Sequence, residues 1–120
     1  MVIDVSRNSG VLVIRMEGRT SIESQVDLRS RLKECLDSGE NLVLTDLEKM
    51  QELDSATIGA FMQFSKRLSD RGGHFVFAKP SANCLQALKL LSLHELFKIY
   101  ETEEAAMEFL AASSGNGTTR

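Results

Sequence analysis

Apolar positions come first in two short runs, VIDVS over 2–6 and VLVIRMEG over 11–18, separated by RNSG. Both runs are β-rich, and the Asn and Gly between them suit a tight hairpin turn, so an antiparallel pair is predicted. The period then changes. Leu28, Leu32, Cys35 and Leu36 recur at helical spacing, with Thr20 and Glu23 in a capping-box pattern before them and Ser38-Gly39 after, which predicts a helix over 21–38. NLVLTDL, 41–47, is apolar without alternation, the pattern of a strand covered on both faces. Ile58, Phe61, Phe64, Ser65 and Leu68 return to helical spacing and stop at Arg71-Gly72-Gly73, giving a second helix over 55–71. HFVFAK is a further strand closed by Pro80. Ser81 can cap a third helix whose stripe is Cys84, Leu85, Leu88 and Leu91. LFKIY is a short strand, and Thr102 with Glu103 and Glu104 opens a fourth helix through about Ala112.

Strands alternating with helices imply right-handed crossovers onto a largely parallel sheet. The predicted fold is α/β: a mixed sheet, mostly parallel, with an N-terminal antiparallel hairpin and about four helices. The pattern fills one domain over 1–112, and the small polar stretch SSGNGTTR is expected to be a disordered tail over 113–120.

Composition narrows the function. A chain of 120 residues that is 42% hydrophobic supports one real core. Its 14 Lys and Arg against 17 Asp and Glu give a formal net charge of −3 with no basic stripe, which leaves nucleic acid without an electrostatic footprint. No apolar run approaches the roughly 20 residues that span a bilayer, and MVIDVSRN lacks the features of a signal peptide, so a cytoplasmic protein with no membrane partner is expected. Cys35 and Cys84 fall on apolar stripes and read as buried thiols. His74 and His94 have no partner at metal-ligand spacing, so neither metal nor cofactor is expected. Phosphate-binding loops of the G-x-x-x-x-G-K-[ST] and G-x-G-x-x-G kinds are missing, and Ser55 is not in a G-x-S-x-G elbow. A binding protein is expected, not an enzyme.

One junction carries more polarity than its element needs. Between the 41–47 strand and the second helix stands MQELDSATIG, where Asp54 alone suffices as N-cap. The Ser55 hydroxyl is then spare, on the rim where parallel strands end and helices begin, the place where open α/β sheets carry functional groups. Helical spacing puts Ser55, Gly59, Met62 and Lys66 on one stripe beside the core stripe, with Met62 as its apolar anchor.

LVLTDL, then DSATIGAF, a Gly-Gly turn into HFVFAKPS, and LKLLSLHELFKIYETEEAA together resemble the STAS domain of bacterial anti-sigma factor antagonists, from about Val2 to Leu110. The resemblance implies that Ser55, directly after the aspartate, is the phosphoacceptor. It implies a partner switch: the unmodified protein binds an anti-sigma serine kinase and releases a sigma factor, phosphorylation at Ser55 ends binding, and a metal-dependent serine phosphatase restores it. The partner-facing residues it implies are Asp54, Ser55, Ala56, Thr57, Gly59, Met62 and Lys66, with Ser21 from the loop before the first helix. Ala56-Thr57 replaces the usual small Ser/Thr-Gly, and Thr20-Ser21-Ile22 stands where an acidic residue is common. The same fold also serves as a non-switching accessory subunit, for example of a transport ATPase, and that alternative stays open. A monomer or weak dimer is expected. A receiver-domain reading, with Asp46 as phosphoacceptor, fails because only one strand–helix unit separates Asp46 from Lys79 and the acidic pair for Mg²⁺ is missing. Asp46 reads instead as a strand-end residue bonding nearby backbone.

Overall fold

The computed structural model describes residues 1–118, with side chains described through residue 113. Its elements in chain order are β1 (Val2–Asn8), β2 (Val11–Gly18), α1 (Ile22–Asp37), β3 (Leu42–Met50), α2 (Ser55–Asp70), β4 (His74–Ala78), α3 (Ala82–Leu90), a 3₁₀ turn (Leu93–Glu95), β5 (Lys98–Tyr100) and α4 (Glu103–Thr118). β1 and β2 pair antiparallel, from Val2 opposite Glu17 to Asn8 opposite Val11. Ser9 and Gly10 both have positive φ, 52° and 83°, as a two-residue turn matched to strand twist requires.

The remaining strands are parallel, and the sheet order is simply β1-β2-β3-β4-β5. That order decides the layers. Right-handed crossovers stepping always to the next strand leave α1, α2 and α3 on one face, while α4, which follows the last strand, covers the other. Leu12, Ile14, Met16, Val43, Leu47, Phe75 and Phe77 pack beneath the first three helices. Val11, Val13, Leu44, Val76 and Ala78 pack against Ala106 and Leu110 of α4. β3 is thus covered on both faces, which is why its sequence does not alternate. Phe61 and Phe64 of α2 meet Phe77 and Phe75 edge-on, with ring centroids 5.3 and 5.0 Å apart, and clamp the helix over the sheet.

Three boundaries differ from expectation. β3 runs on to Met50, because an extra residue in β3 opposite the Arg15–Glu17 stretch of β2 shifts the register and brings Gly18 opposite Met50. The cap of α1 is Ser21, not Thr20: Ser24 N–H donates to Ser21 Oγ at 3.1 Å and Ser21 N–H donates to Ser24 Oγ at 2.6 Å. A short hydroxyl at N3 closes the capping box in place of Glu23, and Thr20 is left for another contact. α4 continues to Thr118 where a disordered tail from 113 was expected, while positions 119 and 120 lie outside the described residues.

Candidate functional site at the start of the second helix

Asp54 is the N-cap of α2, with extended backbone at φ −93° and ψ 169°, and its Oδ1 accepts from the Thr57 N–H at 2.8 Å. Its Oδ2 accepts from Thr20 Oγ1 at 2.6 Å and from Gln25 Nε2 at 2.8 Å. One carboxylate therefore ties the loop before α1, the first turn of α1 and the first turn of α2 into a single rim. Burial alone pushes the Asp54 carboxyl up, but the donors from Thr20, Thr57 and Gln25 outweigh it and hold the group below its ordinary range. Asp54 is ionised at neutral pH.

Ser55 follows at the first helical position, exposed, and its hydroxyl makes no hydrogen bond among the described residues. Capping does not use it. Met62 is 42% exposed, Lys66 is exposed and pairs with Asp70 at 3.3 Å, and Gly59 is half-buried. Ser55, Gly59, Met62 and Lys66 accordingly run along the outer side of α2, as their spacing predicts. Ala56 is half-buried beside them. Ser21 is exposed on the same rim, although its hydroxyl is already engaged in the cap of α1.

Thr57 requires a correction. It was expected among the partner-facing residues, but it is fully buried, with its hydroxyl unpaired and only its backbone N–H used by Asp54. The third position of α2 turns inward, toward the sheet that Phe61 and Phe64 also face, so a partner at the rim cannot reach it.

Two contributors to the site carried no usable sequence signal. Gln25 reaches Asp54 across 29 positions of chain, and Thr20 across 34, so only the folding of α1 beside α2 brings them together. Asp46, by contrast, behaves as read: its Oδ1 accepts from the Glu48 N–H at 2.8 Å, two residues on. Cys35 and Cys84 are buried free thiols, and burial pushes the Cys35 thiol up to about 11. Among the described residues no group of three or more His, Cys, Asp or Glu side chains is placed to hold a metal ion, and no helix is long and apolar enough to cross a membrane.

The model of the STAS domain matches residues 2–106. The chain belongs to the STAS domain family. A Thermotoga maritima relative named as a candidate anti-sigma factor antagonist is 32% identical to this STAS domain over 75 residues, which make up 62% of this chain and 66% of the relative. A crystal structure of a protein so named from the same organism superposes with a TM-score of 0.85 at 24% identity, covering 91% of this chain and 94% of that one. The anti-sigma factor antagonist SpoIIAA of Bacillus matches in two forms. Its unphosphorylated form gives a TM-score of 0.81 at 17% identity over 92% and 97% of the two chains, and its phosphorylated form 0.72 at 16% over 90% and 99%. At these identities the superpositions establish the STAS fold of the sheet and its helices.

Proposed function

We propose that this STAS domain is a cytoplasmic anti-sigma factor antagonist, a binding protein and not an enzyme, whose attachment to an anti-sigma serine kinase is switched off by phosphorylation of Ser55. The observation that carries the reading is the unengaged, exposed Ser55 hydroxyl directly after an aspartate whose two oxygens are both committed to the fold. A kinase can modify that hydroxyl without dismantling the cap. The relatives named as anti-sigma factor antagonists, one of them known in phosphorylated and unphosphorylated forms, support the same reading.

Electrostatics gives the switch its direction. A phosphate brings about −1.5 to −2 charges near pH 7 and would stand beside the ionised Asp54. A partner surface complementary to a neutral hydroxyl and an apolar Met62 would have to desolvate that charge, and each ~1.4 kcal/mol of the cost weakens binding tenfold. A serine phosphatase would reverse it. The test is a titration of the purified anti-sigma kinase with wild-type, phosphorylated, Ser55→Asp and Met62→Ala forms, with circular dichroism of each. Phosphorylated protein should bind weakest, Ser55→Asp less weakly because it carries less charge, and all forms should show the same fold. Equal affinity of the unmodified and phosphorylated proteins would refute the switch and favour a non-switching accessory subunit.

A further inference from the structure

We propose that the groove between α1 and α2 docks an acidic amphipathic helix of a partner protein, with one aliphatic side chain seated in the groove and its carboxylates on Arg29 and Arg67. The two helices lie side by side on one face of the sheet and leave an open cavity of about 130 Å³ between them, floored by Leu32, Ala60 and Phe64 and edged by Arg29, Lys33 and Arg67. That is close to the ~150 Å³ in which an apolar cavity accepts a benzene ring, so it has room for one branched aliphatic side chain.

The charge around the cavity selects the occupant. Arg7, Arg15, Arg19 and Arg31 each pair with a carboxylate, and Arg71 donates to the Asn41 side chain and the Leu36 carbonyl. Among the described residues the two arginines without such a partner are Arg29 and Arg67, and both edge this one groove. No carboxylate lines it. In a chain of net charge −3 this is not a consequence of composition. An apolar seat ringed by unpaired guanidinium groups complements a helix that offers an aliphatic anchor flanked by Asp or Glu.

The groove also has an apolar extension. Ile22 and Val26, 83% and 66% exposed, stand at i and i+4 on α1 and continue to the unpaired Arg29 at i+7, while Lys33 at i+11 is paired with Asp37 at 2.7 Å. Neither belongs to the core stripe of Leu28, Leu32 and Cys35. The surface thus passes from apolar at the rim to cationic further along, and its occupant would carry the matching order.

The test uses the full chain and two labelled synthetic peptides of about 20 residues, longer than the ~12–15 below which an isolated helix is marginal, with Leu at helical spacing and either Glu or Lys at the polar positions. Fluorescence anisotropy should show saturable binding of the Glu peptide, weakened by salt, and no comparable binding of the Lys peptide. Amide chemical-shift changes should centre on Leu32, Ala60 and Phe64. Arg29→Glu with Arg67→Glu, both at exposed positions, should weaken the Glu peptide by about tenfold or more and admit the Lys peptide. Equal binding of the two peptides, shifts centred elsewhere, or undiminished Glu-peptide binding by the double variant would overturn the proposal. So would self-association, seen by sedimentation, that the double variant abolishes, because the occupant would then be a second copy. The peptide titration uses unmodified protein and no kinase, so its outcome and that of the phosphorylation switch stand or fall separately.

Discussion

Asp54 has two roles that differ in size. As an N-cap it should contribute about 0.5 to 2 kcal/mol, so Asp54→Ala should lower stability by that much in a urea titration. If it also holds the rim in the form a kinase recognises, phosphorylation of Ser55 in the folded variant should fall by far more than the stability loss explains; phosphorylation at the wild-type rate would leave Asp54 a cap alone. Ser55→Ala should abolish modification and change stability by no more than about 0.5 kcal/mol, since the hydroxyl is exposed and unpaired. Thr57 points the other way. Its hydroxyl is buried without a partner, so Thr57→Val, of nearly the same shape, should unfold at the same or a higher temperature than wild type. A clear drop in the melting temperature would mean that the hydroxyl is satisfied in solution.

At the scale of elements, two glycines of similar appearance in the sequence do different things. Gly59 lies inside α2, and a Cβ added there meets nothing within 4 Å. The fold does not require it, and Gly59→Ala should stabilise by up to about 1 kcal/mol through helix propensity. If the partner approaches the outer side of α2 closely, the same change should weaken partner binding. Gly73 precedes β4, and a Cβ there would stand 2.7 Å from the Asn41 carbonyl oxygen and 2.8 Å from Leu68 Cγ, so Gly73→Ala should destabilise. Thermal melts of the two variants should therefore move in opposite directions. The paired signals at helix starts were only partly legible. Asp54 and Ser81 were readable as caps because an N-cap acts within three residues. At α1, Thr20 and Ser21 both offered hydroxyls, and the choice fell to Ser21 because Thr20 is drawn to Asp54 from another helix.

Across the whole molecule, α4 is held to the sheet by charge as well as by apolar packing. Arg15 of β2 donates to Glu103 through Nε at 3.1 Å and through its terminal nitrogen at 2.8 Å. Burial, and then the hydrogen bond with Glu103, push the Asp46 carboxyl of β3 up to about 6, while the hydrogen bonds from Asp46 and Arg15 hold Glu103 below its ordinary range. The signs follow from which state binds the proton more tightly. Asp46 binds its proton more tightly when folded, so its contribution is fully present below the ordinary carboxylate range and is lost as pH rises through about 6. Glu103 has the opposite sign, contributing above the ordinary range and losing that as pH falls. Asp46→Asn keeps an acceptor for the Glu48 N–H and a donor toward Glu103. It should flatten the fall in stability between pH 5 and pH 7.5 and raise stability at the higher value, read from denaturant midpoints at the two; an unchanged slope would show that Asp46 is ionised throughout that window.

Strand and helix order, the two-face burial of β3, the hairpin turn and the Asp54 cap were determined by sequence alone, because each depends on residues within a few positions of one another or on a period repeated along one element. The α/β class followed from that order, since parallel strands need crossovers of one hand. Folding in three dimensions decided the rest. It placed Gln25 and Thr20 on Asp54, turned Thr57 inward, extended β3 to Met50 through a register shift against its neighbour, and gathered Arg29 and Arg67 at one groove. Each of these is a contact between side chains or strands far apart in sequence, and no local periodicity records which distant neighbour will stand opposite.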